Sequence, residues 1–469
     1  MKIAFIHYHL KTGGVTTVVR QQAEVLRGKC QCLVLAGSLP DTDFPVQTAE
    51  IPELGYTQPD QKPFDPADVA ESIIGAIYAR FDGQCDVVHV HNPTLAKNKQ
   101  FLQILAHLQR RQMKLFLQIH DFAEDGRPLS YFPETYPSNC HYGALNYRDY
   151  AILRRAGLKA EGLHIIPNMV NPVSEIRPDT NMGDFVLYPI RAIRRKNVGE
   201  AILVSLFFQS NQKLMITLPP HSPADMISYQ DWKSFVTTHG LAVEFEAGLD
   251  RDFKTLVAAA AFLITTSITE GFGFSFLEPW MYNKLLWGRK IDNISRDFEK
   301  NGIRLDHLYD ALEVPVDWLD RTQLFDRWTS CVQHACDVFH HSIEMSCITE
   351  AFDRITANGR VDFGLLSEGF QRQIIRRVLA DRKNVAILKQ MNPFLSYPGE
   401  VSQKDTLIRE NKEAILKNYD RSSYSKRLME IYRCVSQNPI DQRIDKGVLL
   451  SEFLKLDEFS LLKWCDYLE

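Results

Sequence analysis

Cysteine is sparse in this sequence and follows no framework. The nine cysteines are scattered over 469 residues, and only Cys30 and Cys32 lie close together. An odd number without a spacing pattern indicates reduced thiols, as in a cytosolic protein. Because Cys30 and Cys32 fall in the apolar run CQCLVLAG, we expect them to pack in a strand rather than to form a redox site.

Long apolar runs are also lacking. No stretch approaches the ~18 apolar residues that span a bilayer. The N-terminal MKIAFIHY has one lysine and then an apolar run too short for a signal peptide, so we expect a cytoplasmic protein. The mildly basic segment LQRRQMK (108–114) allows at most a weak contact with a membrane surface.

An excess of positive charge is missing as well. The net charge is -4, which argues against a dedicated nucleic-acid binder. With 45% hydrophobic residues, the chain can bury large cores, and its length suggests two or three domains. The charge and composition leave the oligomeric state open.

What is present is an alternation of strands and helices that occurs twice. Residues 2–168 alternate short Val/Ile/Leu runs with helical stretches, and the pattern restarts at DFVLYPIR (184–191) after the linker 171–184. Such runs predict parallel sheets covered by helices on both faces. We therefore expect an α/β protein with two Rossmann-like doubly wound domains facing across a cleft, and a mainly helical C-terminal extension.

The expected boundaries follow the changes in pattern. They are an N-terminal domain (1–180), a C-terminal domain (181–400, atypical after 283) and C-terminal helices (401–469) that cross back to the N-terminal domain. The stretch 410–435 reads as helix. Ligands of doubly wound sheets bind at the carboxyl ends of the strands.

The stretch TTSITEGFGFSFLEPW (265–280) lies at such a strand end. Gly271 and Gly273 allow close backbone approach to an anion, and a helix beginning near Phe274 would attract phosphate. Glu270 and Glu278 would repel the phosphate but suit hydroxyl-rich groups on either side of it. A diphosphate flanked by two sugars is a nucleotide-sugar.

This E-x7-E pattern resembles the retaining nucleotide-sugar glycosyltransferases of the GT-B fold (glycosyltransferase family 4-like). The resemblance covers most of residues 1–282 and implies a hexosyltransferase of carbohydrate biosynthesis. It implies that Glu270 contacts the transferred sugar and Glu278 the ribose. The backbone of Phe272, Gly273 and Phe274 would hold the diphosphate.

Other segments carry the same resemblance. In YPIRAIRRKN, Arg191 and Lys196 would neutralise the diphosphate in place of a metal, while Arg194 and Arg195 are expected to face solvent. Main chain from Glu246 to Leu249 would clasp the nucleotide base. In the first half, the resemblance assigns Gly13 and Gly14 to the donor phosphate, His120 to the donor sugar and His91 to the cleft. The aromatic loop 120–150 would shape the acceptor side, with Arg127 available to an acidic acceptor.

The implied reaction transfers glucose or mannose from a UDP-, GDP- or ADP-hexose to a hydroxyl of a small polar or saccharide acceptor. It proceeds by front-face displacement, with no metal and no further cofactor required. The nucleotide, the hexose and the acceptor stay open. After 283 the small residues typical of the resemblance are replaced by bulky ones, so residues 283–400 support no substrate assignment.

Three alternatives remain. The chain could be a non-catalytic GT-B scaffold or regulatory module, or a GT-B phosphorylase that uses inorganic phosphate. The third alternative is a metal-dependent hydrolase, because His7, His9, His89, His91 and His120 lie at strand ends and His-x-His pairs can bind zinc.

Overall fold

The structure is a computed structural model, and it describes residues 1–58, 60, 62–173 and 182–465. The chain divides into two compact units. Unit 1 contains Met1–Asn171 and Tyr419–Leu454, and unit 2 contains Pro172–Asn418 and Lys455–Glu469. Residues 174–181 of the predicted linker lie outside the described residues.

The strands are short, mostly of three to seven residues. In chain order they are β1 (Lys2–His7), β2 (Gln31–Ala36), β3 (Gln47–Glu50), β4 (Val87–His91), β5 (Leu115–Gln118), β6 (His141–Ala144), β7 (Leu163–Ile165), β8 (Phe185–Arg191), β9 (Lys213–Leu218), β10 (Val243–Glu244), β11 (Leu263–Thr265), β12 (Leu286–Gly288), β13 (Glu313–Pro315) and β14 (Arg360–Asp362).

The helices alternate with the strands in both units and dominate the chain after residue 320. In chain order they are α1 (Gly14–Leu26), α2 (Pro66–Phe81), α3 (Phe101–Arg110), α4 (Tyr147–Arg155), α5 (Val198–Ser205), α6 (Pro223–His239), α7 (Phe253–Ala259), α8 (Glu278–Met281), α9 (Asp292–Lys300), α10 (Arg321–Val338), α11 (Met345–Ile355), α12 (Glu368–Ala380), α13 (Arg382–Met391), α14 (Lys404–Asn418), α15 (Arg421–Gln437), α16 (Lys446–Phe453) and α17 (Leu461–Trp464). Among the described residues, no helix is both long enough and apolar enough to cross a membrane.

Unit 1 is built on a parallel sheet with the strand order β3-β2-β1-β4-β5-β6-β7. Alternate residues of β1 enter different cores: Ile3 and Phe5 pack in the layer that contains α1 and α15, and Ala4 and Ile6 pack in the layer that contains α2 and α3. Because side chains of a strand alternate between faces, an unbroken apolar run serves both layers. This explains why residues 3–6 of β1 are apolar on both faces of the sheet.

Unit 2 contains a parallel sheet with the order β10-β9-β8-β11-β12 and a small antiparallel pair, β13-β14. The prediction of two parallel-sheet α/β domains with a helical C-terminal region is confirmed. In both sheets the order reverses direction beside the first strand of the unit, β1 or β8. Such a switch point opens a space at the carboxyl ends of neighbouring strands.

The helical stretch 410–435 is interrupted, unlike the prediction from its apolar spacing. Helix α14 ends at Asn418 and α15 begins at Arg421. The Asp420 carboxylate accepts hydrogen bonds from the N–H groups of Ser422 and Ser423, which is the geometry of a helix N-cap. The break coincides with the passage of the chain from unit 2 to unit 1.

The expectation of reduced thiols is wrong for one pair. Cys331 in α10 and Cys465 after α17 form a disulfide across a sequence separation of 134 residues. No local spacing could indicate a pair so far apart in sequence. Cys30 and Cys32 are free, and Cys32 is buried in β2, as expected of a packing residue.

Candidate functional site

The carboxyl edge of the unit 2 sheet holds an ion pair between Lys196 and Glu270. Lys196 follows β8 and Glu270 follows β11, and these two strands are neighbours. The Lys196 ammonium contacts Glu270 Oε1, and the two side chains are only 14% and 10% exposed. Burial by itself would raise the pKa of the Glu270 carboxyl, but the charges of Lys196 and Arg195 outweigh it and lower that pKa.

The turn that carries Lys196 is held by Tyr188 of β8 and by residues that follow β11. The hydroxyl of Tyr188 donates to the carbonyl of Lys196 (2.6 Å), and so does the Thr266 hydroxyl (3.1 Å). The N–H of Ile268 donates to the carbonyl of Arg195 (3.1 Å). These contacts fix the position of Lys196 relative to Glu270.

A buried polar network that begins at Asn197, the residue after Lys196, supports the same turn. Asn197 adopts a left-handed conformation (φ 51°) and donates to Glu200 Oε2 at 2.7 Å. Glu200 is fully buried and accepts two hydrogen bonds from Arg289, at 2.8 and 2.6 Å. Arg289 also contacts Asp362 (2.6 Å), so the buried charges are paired. Sequence reasoning missed this network, although Asn-x-x-Glu has the spacing of a helix start.

The glycine turn after Glu270 departs from the predicted helix. Residues Phe274–Phe276 form one 3-10 turn, and α8 is a separate helix that begins at Glu278. Pro279 explains the break, because proline lacks the N–H that would bond the carbonyl of Ser275 and its ring clashes there. Glu278 is therefore the first residue of α8 rather than part of a second helical turn.

Gly273 has a strict conformational requirement. Its φ is 90°, and an added Cβ would lie 3.0 Å from Ile294 Cγ2. Beside it, Ser275 Oγ is buried and has no hydrogen-bond partner among the described residues. Sequence reasoning did not single out Ser275.

Glu278 exposes part of its surface to solvent, but its carboxyl group is surrounded by protein atoms. This burial of the carboxyl raises its pKa to about 7.

The basic residues of this segment differ in their surroundings. Arg191 ends β8, is half-buried and donates to the carbonyl of Pro219 (2.8 Å). Arg194 was expected to face solvent, but it is 6% exposed. It donates to the carbonyl of Cys465 (2.9 Å) and lies 3.7 Å from Glu368. The expectation failed because α12 and the chain after α17 cover this side of the turn.

Glu246 lies after β10 in a left-handed conformation (φ 66°). Its carboxylate is bound by Lys233 (3.0 Å) and Tyr229 (3.1 Å), which lowers its pKa. The N–H groups of Ala247 and Gly248 bond carbonyls of β9, Ile216 and Thr217. The segment from Glu246 to Leu249 is thus fixed onto the end of β9.

In unit 1, four histidines meet at the carboxyl ends of β1, β4 and β5. His91 Nδ1 and His120 Nε2 are 2.9 Å apart, and the rings of His89 and His91 stack at 4.3 Å. Burial lowers the pKa of His7 to about 3 and that of His120 to about 4, so both are neutral near pH 7. His91 Nε2 is buried and has no partner among the described residues.

Gly13 and Gly14 join β1 to α1. Gly14 is the first residue of α1, and an added Cβ there would meet nothing within 4 Å. At Gly13 the nearest atom to an added Cβ is the carbonyl oxygen of Lys11, at 3.8 Å, and φ is 179°. Neither the space nor the backbone conformation of the protein itself requires glycine at these positions.

Arg127 lies on the loop after β5, where its guanidinium contacts Asp121 (2.6 Å) and the carbonyl of Phe122 (3.0 Å). Its charge is therefore already paired within unit 1. The structure thus pairs Lys196 with Glu270 and places Arg191 and Gly273 on segments that follow the same carboxyl edge of the unit 2 sheet. It places His91, His120 and the Gly13-Gly14 turn at the carboxyl edge of the unit 1 sheet.

No protein-family profile matches the chain. A mannosylglucosyl-3-phosphoglycerate synthase of Petrotoga mobilis is 27% identical over 340 residues. That match covers 62% of this chain and 65% of the relative, so it spans just under two thirds of the relative's length.

Two solved structures resemble the whole described fold. A sucrose-phosphate synthase of Thermosynechococcus elongatus has a TM-score of 0.54 at 14% identity. The superposition covers 92% of this chain and 98% of the synthase chain. Anabaena HepE, solved with UDP-glucose, has a TM-score of 0.52 at 13% identity, covering 92% and 99%. The chain therefore has the fold of the GT-B glycosyltransferases, with two parallel-sheet α/β domains and a helical C-terminal region.

Proposed function

We propose that the chain is a retaining glycosyltransferase that transfers a hexose, glucose or mannose, from a nucleotide-sugar diphosphate to a hydroxyl group. The observation that carries this proposal is the buried pair of Lys196 and Glu270 at the carboxyl edge of the unit 2 sheet. A buried ammonium beside a glycine turn suits a diphosphate, and an ionised carboxylate suits sugar hydroxyls.

The diphosphate contacts follow from the groups available at this edge. Lys196 and Arg191 supply positive charge, and the Ser275 hydroxyl is a buried group that needs a partner. The main chain of Phe272, Gly273 and Phe274 completes the cradle in this proposal. Glu278 binds the ribose, and the main chain from Glu246 to Leu249 binds the base.

The residues of unit 1 receive the remaining roles. His120 orients the transferred sugar. His91 contacts the ligand through Nε2, which has no hydrogen-bond partner among the described residues. Gly13 and Gly14 let a ligand approach the main chain closely, which gives a reason for two glycines that the fold itself does not require. Arg127 is proposed to bind an acidic acceptor, in exchange for its present contact with Asp121.

The reaction is a front-face displacement. The bond between the anomeric carbon and the diphosphate oxygen breaks, and the acceptor oxygen bonds that carbon on the same face. The departing diphosphate takes the acceptor's proton. Lys196 and Arg191 stabilise the charge that builds on the leaving group, so catalysis consists of positioning and electrostatic stabilisation without a catalytic metal.

The acceptor is proposed from the curated relative, which is named for making mannosylglucosyl-3-phosphoglycerate. We propose a small anionic acceptor of the same kind, a phosphoglycerate or its glycoside. The mannosyl and glucosyl groups in that name match the two hexoses favoured for the donor. The cytoplasmic location expected from the sequence stays a prediction.

The test is a thermal-shift panel of UDP, GDP and ADP with their glucose and mannose conjugates, on the wild type and Glu278→Ala. A donor well above its Kd should stabilise the protein by roughly 2–4 kcal/mol. One nucleotide series should raise Tm, and less so in Glu278→Ala. NMR of the product with 3-phosphoglycerate or glucosyl-3-phosphoglycerate should then show the donor's anomeric configuration.

Other outcomes favour the alternatives. A lack of any shift, where a control transferase responds, would move the assignment to a non-catalytic GT-B module. Turnover that needs inorganic phosphate in place of the nucleotide would indicate a phosphorylase. The hydrolase alternative is weakened because both ring nitrogens of His89 are hydrogen-bonded, to Tyr432 and Gln118.

A further inference from the structure

Two histidines and a cysteine meet at the amino edge of the unit 1 sheet, the edge opposite His91 and His120. His141 is the first residue of β6, His164 lies in the adjacent β7, and Cys434 lies near the end of α15. Their candidate ligand atoms all lie within 4.8 Å of one another. We propose that His141, His164 and Cys434 bind a zinc ion.

The hydrogen bonds of His141 prepare it as a ligand. His141 Nε2 lies 2.7 Å from the carbonyl oxygen of Asn438. Because a carbonyl can only accept, Nε2 carries the proton, and the unprotonated Nδ1 accepts a hydrogen bond from the Nε2–H of His164. A ring that donates one N–H to a backbone carbonyl and offers the other nitrogen is the usual state of a zinc-bound histidine.

The other two ligands lie near Nδ1 of His141. His164 Nε2 lies 3.0 Å from His141 Nδ1. The side-chain amide of Asn438 donates to Cys434 Sγ at 3.5 Å.

The chemistry of the set points to a borderline-soft cation. Two imidazoles and one thiolate suit Zn²⁺, whereas Mg²⁺ and Ca²⁺ require oxygen ligands. Tetrahedral zinc separates two nitrogen ligands by about 3.3 Å, given Zn–N bonds near 2.05 Å. The two histidines therefore need to separate by only a few tenths of an ångström.

Zinc binding changes the protonation of two of the three ligands. Cys434 releases its S–H proton to water, and the His164 proton moves from Nε2 to Nδ1. The proposal assigns the fourth position to water, and His141 and Asn438 line an open pocket of about 690 Å³ beside the site. The zinc would join α15, which belongs to the late segment Tyr419–Leu454, to the sheet of unit 1.

The test uses the full chain, freed of metal with a chelator, and Co²⁺ as a spectroscopic probe. One equivalent of Co²⁺ should produce tetrahedral d–d bands and a thiolate-to-metal charge-transfer band. Zn²⁺ should displace the cobalt and raise Tm. In Cys434→Ser the charge-transfer band should be lost. The affinity for Zn²⁺ should fall by more than about 10-fold to 100-fold, which is the usual effect of losing a group that only supports a metal ligand.

The matched control is Cys347→Ser, because Cys347 is a free and exposed cysteine on α11 of unit 2. It should keep the band and the wild-type zinc affinity. A second variant, His164→Gln, should weaken Zn²⁺ binding without removing the thiolate. The proposal is overturned if wild-type protein gives no charge-transfer band, or if Cys434→Ser and His164→Gln both bind Zn²⁺ as tightly as Cys347→Ser. Neither readout depends on glycosyl transfer.

Discussion

Lys196 and Glu270 carry opposite charges in a place that water barely reaches. A buried ion pair is weak evidence for net stability, but removing one partner leaves the other charge uncompensated. The Lys196 turn is held by three hydrogen bonds to its carbonyls, one from Tyr188 of β8 and two from Thr266 and Ile268 after β11. At the residue scale, the proposed catalytic site is therefore a set of charges in fixed positions.

Replacing Lys196 by methionine should separate the structural role of the pair from its catalytic role. We expect Lys196→Met to lower the free energy of unfolding by about 3 kcal/mol, because Glu270 loses its main compensating charge. Turnover should fall by about 10²–10³-fold, the usual cost of one lost electrostatic contact to the leaving group. Denaturant unfolding and steady-state kinetics measure the two effects.

The double variant Lys196→Met/Glu270→Gln is the control for this experiment. It removes both charges, so most of the lost stability should return while activity stays low. If Lys196→Met unfolds like the wild type, the pair makes no structural contribution. If the double variant regains activity, Lys196 does not act on the leaving group.

The raised pKa of Glu278 predicts a pH dependence of donor binding. Below its pKa of about 7 the carboxyl is protonated and accepts hydroxyl protons poorly. About nine tenths is ionised at pH 8 and about a tenth at pH 6, so affinity for a nucleotide-sugar should fall roughly tenfold between these values. Calorimetry with the nucleotide-sugar measures this, since its diphosphate diester does not titrate in this range.

Glu278→Gln provides the comparison at each pH. It should bind the donor weakly and with a flat profile from pH 6 to 8. A wild-type profile as flat as that of Glu278→Gln would mean that Glu278 does not titrate in this range or does not contact the donor.

At the scale of elements, the two glycine turns differ in what they require. Gly273 must adopt a positive φ, and a side chain there would press on Ile294. The Gly13-Gly14 turn has room for a side chain and an ordinary backbone conformation. Glycine at Gly273 is therefore explained by the fold. The fold gives no reason for glycine at Gly14, whereas the proposed function gives one, a ligand that approaches the main chain.

The variant Gly14→Ala tests that reasoning. Alanine favours helix over glycine by roughly 0.5–1 kcal/mol, so we expect Tm to stay the same or rise slightly. Donor affinity or turnover should nevertheless fall, because the methyl group occupies the space of the ligand. Gly75→Ala in α2 is the matched control, since an added Cβ there also meets nothing within 4 Å. Equal activity of both variants would contradict the assigned role of Gly14.

At the scale of the whole chain, late segments complete structures that begin much earlier. Helix α15 contributes Leu428 and Tyr432 to the core that β1 and α1 begin. Cys465 forms its disulfide with Cys331 of α10, and its carbonyl accepts a hydrogen bond from Arg194. Both units therefore depend on residues beyond 418.

The disulfide should stabilise unit 2 by closing a loop of 134 residues. Removing a disulfide typically costs about 2–4 kcal/mol, mainly through the entropy of the unfolded chain. Cys331→Ala should therefore lower the unfolding midpoint, and Cys347→Ser should not. Alkylation of the unreduced, denatured protein followed by mass spectrometry should leave Cys331 and Cys465 unmodified. Alkylation of both would show that the bond is not formed.

Prediction from sequence succeeded where the signal was local. The runs at 2–8 and 213–218 form β1 and β9. Continuous runs of β-branched and aliphatic residues are typical of strands that are covered by helices on both faces of a sheet. Prediction failed for Arg194 because parts of the chain more than 150 residues later cover that side chain. It also failed for the helix after Gly273, where Pro279 was a local signal that the helix must begin anew at Glu278.

The sequence by itself determined the two parallel-sheet α/β domains and the strand ends at which Arg191, Lys196, Glu270 and His120 lie, because periodicity and turn residues act over a few positions. Only the tertiary structure decided which of these side chains pair, how burial changes their pKa values, and that His141, His164 and Cys434 meet. Those outcomes depend on contacts between residues far apart in sequence, and such contacts leave no local pattern.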